Sequence, residues 1–330
     1  MKKIAIIGSG ISGLSAAYLL STDHEVTVFE KDSRLGGHTA TMDVNFDGDQ
    51  LAVDTGFIVF NNRTYPRFLA LLNKIGMGRQ PTEMSFSVQN KQTGLEYNGH
   101  NLNTLFAQRR NLLSPGFWQL IRDILRFNKR CKQLYASDNI ADITLGQFLR
   151  QEGFSRNFCE HYIEPLTAAF KQNIKLNSCI KKVERGSDGV TLTMTDGQQE
   201  QFDELVFACH SDQALMLLGD NATEAERDIL GAIPYSANSV VLHTDISLLP
   251  KKRKAWAAWN YQLLADRQRP SSVTYNMNIL QGIDSKHTYC VTLNQDDSID
   301  DSKIIQKFVY HHPVFNTSSL AAQQRRAEIC

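Results

Sequence analysis

Three glycines at fixed spacing decide most of what this chain can fold into. Lys3-Ile4-Ala5-Ile6-Ile7 is an apolar run without a breaker, and it leads into Gly8-Ser9-Gly10-Ile11-Ser12-Gly13. Such a run fits a buried parallel strand. Gly8 permits a tight turn, Gly10 lets a phosphate approach the backbone, and Gly13 lets the next helix lie close on the strand. That helix is expected from about Ser12 to Leu20, with Leu14, Ala17, Tyr18 and Leu20 as its apolar positions. Its free N–H groups and positive dipole end would face an anion. Glu25-Val26-Thr27-Val28-Phe29-Glu30 alternates and is rich in branched residues, so it reads as a second strand. Glu30 closes it, where a carboxylate can accept hydrogen bonds from two ribose hydroxyls and repel a 2′-phosphate. A lone Gly-x-Gly-x-x-Gly is weak evidence. Here a strand precedes it, a helix follows it, and an acid stands seventeen residues after Gly13.

Composition limits the alternatives. At 330 residues the chain is long enough for two domains with real cores. No apolar run approaches the roughly eighteen residues of a membrane span. Lys and Arg total 35 and Asp and Glu total 35, so net charge lends no support to a nucleic-acid role. Met1-Lys2-Lys3 before apolar residues resembles a secretory signal, but three glycines interrupt the run and no clear cleavage site follows. The expected location is cytoplasmic. The six cysteines (Cys131, Cys159, Cys179, Cys209, Cys290 and Cys330) form no Cys-x-x-Cys pair and no metal-ligand spacing. They read as reduced thiols, with Cys209 as a buried structural one.

Beyond Glu30 the chain continues Arg34-Leu35-Gly36-Gly37-His38-Thr39. Together with the first motif, this extension resembles the flavin amine oxidase superfamily, which includes monoamine oxidases, phytoene desaturases and protoporphyrinogen oxidases. More closely, the chain resembles a bacterial group of NAD/FAD-binding oxidoreductases. The matching stretches are residues 6–17, 34–39, 53–61, 94–99, 208–214 and 274–278, spread over most of the chain. The resemblance implies FAD as cofactor. Gly8, Gly10 and Gly13 would line its pyrophosphate and Glu30 would hold the adenosine ribose. Arg34, Gly36, Gly37 and His38 would flank the pyrophosphate and ribityl chain. Thr55, Gly56 and Phe57 would pass beside the isoalloxazine, and Ile180 would contact adenine through its backbone. Ile11, Ser12, Lys31 and Thr39 complete the implied cofactor-binding set. Without the resemblance, Gly56 also fits an ordinary strand bulge.

Two departures from the family pattern accompany this. A late glycine-rich segment is expected near Arg325-Arg326-Ala327-Glu328-Ile329-Cys330, where none stands. The passage from His161 to Phe170 also reads as shorter than in relatives. A shortened, truncated or frameshifted chain is the corresponding expectation, with FAD retention dependent on it.

The expected fold is α/β, a Rossmann-like FAD-binding domain with a discontinuous α+β substrate domain of antiparallel sheet plus helices. Residues 1–80 and 174–218 form the two segments of the first. Residues 81–173, a hairpin followed by helices, and 219–300, an antiparallel sheet, form the second. Residues 301–330 return toward the FAD domain. Residues 177–207 read as three strands separated by turns at 187–189 and 196–197, the last being Glu204 to Ala208.

Seven basic residues lie between Arg109 and Lys132 against the single acid Asp123, on a segment with helical apolar spacing. Lys251-Lys252-Arg253-Lys254 precedes Trp256 and Trp259. Basic and aromatic groups together suit an anionic lipid surface, and a solvated helix face with a charged loop is the plainer reading. The expected partners are therefore a small hydrophobic or acyl substrate and a peripheral contact with an anionic (inner) membrane surface, with no nucleic acid. No catalytic residue and no metal site can be named. His210 and His243 have no metal-like spacing, and His311-His312 before Pro313 reads as a strand cap. Tyr97, Trp259, Tyr261, Tyr275 and Asn276 are candidates to line a substrate pocket, against ordinary sheet packing. The resulting expectation is hydride transfer from a C–N or C–C bond to flavin, with later reoxidation. The alternatives are a flavin-dependent lipid double-bond isomerase and a non-catalytic remnant.

Overall fold

The computed structural model describes residues 1–137, 145–155, 158–159, 180–195, 197–263, 272–314 and 316–329. The shortened passage at residues 161–170 lies outside them, as does most of the stretch 156–179. The chain opens with β1 (Lys3–Ile7), α1 (Ile11–Leu20), β2 (Glu25–Phe29), β3 (Thr41–Phe46), β4 (Asp49–Asp54) and α2 (Pro66–Lys74). Next come β5 (Phe86–Asn90), β6 (Glu96–Asn98), α3 (Leu102–Leu105), α4 (Pro115–Ser137) and α5 (Leu145–Gln151). A strand group follows: β7 (Ile180–Gly186), β8 (Gly189–Met194), β9 (Gln199–Phe202) and β10 (Glu204–Phe207). The last strands are β11 (Tyr235–His243), β12 (Trp259–Leu263), β13 (Ser272–Asn276), β14 (Cys290–Leu293) and β15 (Ile304–Pro313). Two compact units result: Met1–Pro81 with Lys171–Ser239 and Phe308–Cys330, and Thr82–Phe170 with Val240–Lys307.

The first unit holds a parallel sheet of order β10-β1-β2 and an antiparallel sheet β7-β8-β9. Their shared core is Ala5, Ile7, Ile180, Val183, Leu192 and Phe202, closed by Leu217 and Leu218 of the helix Ser211–Leu218. The last expected strand, from Glu204, is β10, and β9 before it belongs to the other sheet. Asp203 separates them. Its N–H donates to the Lys3 carbonyl at 2.8 Å and its carboxylate accepts from the Lys3 N–H at 2.5 Å, so the chain turns from one sheet into the other. α1 begins one residue earlier than expected and buries only Gly13, while Leu14 and Tyr18 are exposed.

The second unit holds β14, β13, β12, β5 and β6 of a sheet whose order is β15-β11-β14-β13-β12-β5-β6. The sheet is not wholly antiparallel, because β12 runs parallel to β5. Val88 and Tyr97 of its apolar face pack with Phe106, Phe117, Leu120, Leu149 and Phe158. The opposite face is polar and fully buried. Ser87, Asn260, Thr274 and Thr292 cross four strands as a hydrogen-bonded row that ends on His243. This face receives the segment between β11 and β12. Asn260 accepts from the Ala257 N–H at 2.9 Å and donates back to its carbonyl at 2.6 Å. Glu96 accepts from the N–H groups of Lys251 and Lys252 at 3.0 Å each. Asn98 donates to the Trp256 carbonyl at 2.8 Å. No described helix is long and apolar enough to cross a membrane.

Candidate functional site

The two glycine segments of the first unit meet backbone to backbone. Gly10 and Gly36 form an isolated parallel bridge, and the Gly36 N–H donates to the Ser9 carbonyl at 3.0 Å. Gly13 makes the turn possible by close approach: a Cβ there would stand 1.9 Å from the Gly8 carbonyl oxygen. Gly56 is a second such place, since its Cβ would lie 2.2 Å from the His38 oxygen, which decides against an ordinary bulge. The space in front of Gly10 is open, with nothing within 4 Å of a built Cβ.

These segments wall a cavity of about 370 Å³, a size suited to a small organic ligand. Of the sequence-derived set, Gly8, Gly10, Ile11, Ser12, Glu30, Lys31, Gly36, Gly37, His38, Thr39, Phe57 and Ile180 line it. Gly13, Arg34, Thr55 and Gly56 stand behind the wall. Arg34 braces the loop from within, donating to the carbonyls of Gly37 at 2.7 Å, Leu35 at 3.0 Å and Thr39 at 3.4 Å. Thr55 takes its N–H to the Ala40 carbonyl at 2.7 Å and shares a 2.9 Å hydroxyl contact with Tyr310.

Glu30 ends β2 at the cavity, held by several donors. One carboxylate oxygen accepts from the Ser9 N–H at 2.9 Å and from the Ser9 hydroxyl. The other accepts from the N–H groups of Lys31 at 2.8 Å and Asp32 at 3.0 Å. Burial works to raise this carboxyl, but the bonds from Ser9, Asp32 and Lys31 outweigh it and hold it below the ordinary range. A fixed anionic acceptor at that point suits a diol and opposes a second phosphate. Ser9, fully buried, was not singled out from the sequence, yet it ties the β1 turn, the end of β2 and the second glycine segment together. Its position inside the motif was the available signal.

The other end of the cavity is aromatic and imidazole-rich. His38 lies 5.3 Å from His312, 5.7 Å from His210 and 5.7 Å from Tyr310, ring to ring. His210 stacks on Tyr235 at 4.5 Å. Burial, then the neighbouring His312, His210, Arg34 and Lys31, pushes His38 down to about 3, and burial with His210 brings His312 down to about 4. Both imidazoles are neutral at pH 7. Nε2 of His38 is buried without a partner among the described residues. His311 and His312 lie within β15 and do not cap it. Cys209 lines the cavity, and burial pushes its thiol up to about 12, so it is inert as a nucleophile. Tyr310 reaches the site from a segment far away in sequence with no local motif to announce it, whereas His210 lies in the matching stretch 208–214, which assigned it no role.

The substrate-pocket candidates belong to the second unit. Tyr97 packs edge-on to Phe117 in the apolar core, and Asn276 caps the helix Met277–Gln281 through the Ile279 N–H at 3.3 Å, so both are structural. Trp259 and Tyr275 face each other across β12 and β13 at 5.5 Å, and Tyr261 lies 5.0 Å from Phe86. The Tyr261 hydroxyl is buried with no partner among the described residues. Burial pushes the Tyr275 phenol up to about 12 and raises that of Tyr261 further, so both are protonated donors.

Comparison with known proteins gives this geometry its context. Residues 6–75 match the NAD(P)-binding Rossmann-like domain, and residues 105–248 match the flavin containing amine oxidoreductases. The chain is 27% identical over 170 residues to protoporphyrinogen oxidase 2, chloroplastic/mitochondrial, of Arabidopsis thaliana, covering 50% of this chain and 31% of that protein. It is 51% identical over 41 residues to an L-amino acid oxidase of Cerastes cerastes, covering 12% and 8% respectively. The matches thus span less than a third of these relatives' length. In fold, the chain is similar to the CLA-producing fatty acid isomerase from P. acnes, with a TM-score of 0.63 and 16% identity over 99% of this chain and 90% of that one.

Proposed function

We propose, starting from its place in the flavin-containing amine oxidase superfamily, that this chain is an FAD-dependent oxidoreductase acting on a hydrophobic small molecule. The observation that carries the reading is the bridge of two glycine segments beside an acid, open in front of Gly10 and bordered by the partnerless Nε2 of His38. This arrangement fits an extended dinucleotide. The backbone from Gly8 to Gly13 and the N-terminus of α1 would hold the pyrophosphate. Glu30 would accept from the ribose, and Ile180 would lie along the adenine. Gly37, His38, Thr39 and Phe57 would border the rest. When bound, the flavin supplies hydride acceptance from a C–N or C–C bond, so the protein need not furnish an acid or base. The chain's own residues then orient and exclude water. The neutral imidazoles of His38 and His312 can each donate or accept one hydrogen bond without adding charge. The body of the substrate would be apolar, with an anionic membrane as its source.

The absorption spectrum of the purified chain, with identification of the released nucleotide, tests this. Flavin absorbance with FAD released is the expected result. Bound NAD without flavin, or a colourless protein that takes up no added FAD, ends the proposal. Once a substrate is found, anaerobic addition should leave the flavin persistently bleached. A product with shifted double bonds and an unreduced flavin would instead indicate an isomerase.

A further inference from the structure

The two basic segments read from the sequence come together in the second unit. The turn Arg253–Ala255 packs against α3 and β6, so Lys251, Lys252, Arg253 and Lys254 border α3. On its other side α3 is tied to the turn Arg109–Leu113 by a bond between Arg109 and Asn103. Phe106, which ends α3, lies tilted 5.2 Å from Trp118 of α4, and the Trp118 indole N–H donates to the Leu112 carbonyl at 2.9 Å. Along α4, Trp118, Arg122, Leu125, Lys129 and Lys132 recur at intervals of four and three residues and are all exposed. The opposite face, with Phe117 and Leu120, lies in the core.

The apolar members are unusually open to solvent. Leu113 is 89% exposed, Leu102 75% and Leu125 66%, and Leu112 and Trp118 are about half exposed. The acids beside them that the described residues pair are Asp123, Glu152 and Glu96. Asp123 is buried and paired with Arg126, Glu152 is paired with Arg130, and Glu96 is buried beneath Lys251 and Lys252. Arg126 and Arg130 are thereby withdrawn from the surface set, and Arg126 also stacks on Phe154 at 4.1 Å. The cations left at the surface are Arg109, Arg110, Arg122, Lys129, Lys132 and the run Lys251 to Lys254.

We propose that α3, the turns Arg109–Leu113 and Arg253–Ala255 and the outer stripe of α4 form one docking surface for an anionic lipid membrane. Exposed leucines and an indole enter the headgroup boundary, and the flanking arginines and lysines meet lipid phosphates. A nucleic acid would use the cations but leave Leu102 and Leu113 in water. The surface deepens the reading of a membrane-derived hydrophobic substrate, and rests on it.

Flotation of the whole chain with vesicles tests the surface, with Trp emission and the flavin-to-protein ratio recorded on the same samples. The expected result is flotation with phosphatidylcholine–phosphatidylglycerol vesicles, weakened by salt, and little with phosphatidylcholine alone. Arg109→Ala with Arg110→Ala should lose about twenty-fivefold in affinity, at roughly fivefold per cation. Leu112→Ser with Leu113→Ser should lose about tenfold, and Trp118→Phe should abolish a blue shift of emission on binding. Unchanged thermal unfolding of each variant shows that it folds. No flotation with either vesicle, flotation indifferent to both double variants, or binding to duplex DNA or RNA in place of vesicles overturns the proposal. A flavin-free preparation that still floats would count against the cofactor reading and leave the surface standing.

Discussion

In the first unit an apolar helix stands in water, while in the second a polar sheet face is sealed from it. α1 exposes Ile11, Leu14, Tyr18 and Leu19 and buries only Gly13. The sheet face of the second unit buries Ser87, Asn260, Thr274, Thr292 and His243. Side-chain polarity therefore does not set burial in either place. What does is the backbone's requirement. α1 must lie against the β1 turn so that its N-terminus opens on the cavity, and Gly13 secures that contact. The sheet must satisfy the N–H and C=O groups of the covering segment, and amides, hydroxyls, a carboxylate and an imidazole do so.

The contrast breaks most sharply at Gly13. Gly13→Val should abolish flavin retention and cost about 4 kcal/mol or more, because the obstacle is backbone. Flavin absorbance and thermal unfolding measure both, and a flavin-loaded variant of normal stability would refute the close-approach account. The next effect compares the two faces directly. Asn260→Leu strands the Ala257 backbone groups and the Ser87 hydroxyl and should cost about 3 kcal/mol in chemical denaturation. Leu14→Ser in α1, apolar to polar on an exposed helix, should stay within about 0.5 kcal/mol. Equal costs would show that polarity, after all, sets burial.

The smallest effect concerns the histidines each unit holds neutral. Burial brings His243 down to about 4, and its Nδ1 accepts from the Asp245 N–H at 3.0 Å. His38 and His312 are pushed to about 3 and 4. Unfolded, each would titrate near about 6.5, so below that value the unfolded chain binds more protons and stability falls with pH, down to the folded values. Lowering the pH from 7 to 6 should reduce Tm by about 3 °C, and His312→Gln should flatten the slope. A Tm that is level or rises over that interval would contradict the neutral cluster.

Parts of this were legible beforehand because they are local. The spacing of Gly8, Gly10 and Gly13, the acid at Glu30 and the pair Gly36-Gly37 are backbone demands written over a few residues, and twelve of sixteen sequence-derived positions line the cavity. The hairpin of β5 and β6 is among the expected elements, whereas the Asp47-Gly48 turn that joins β3 to β4 is not, despite its residues, both at positive φ. The long-range arrival of Tyr310, which meets Thr55 across 255 positions, had no such signal, and the matching stretch 208–214 gave His210 no role beside His38. The burial of the polar row Ser87–Asn260–Thr274–Thr292 was not legible for a different reason. Alternation of polar and apolar residues normally marks one wet face, and only the covering segment, itself irregular, makes that face dry.

The brace around Arg34 has a kinetic consequence. Its guanidinium fastens three carbonyls of the second glycine segment, and Ser9 fastens that segment to the first. The loops are thus ordered by bonds internal to the protein before any nucleotide arrives. Association need not wait for a chain segment to fold, so capture should proceed at the rate of diffusion and orientation. Substitutions that alter cofactor affinity here should register as faster escape, with the rate of arrival nearly unchanged.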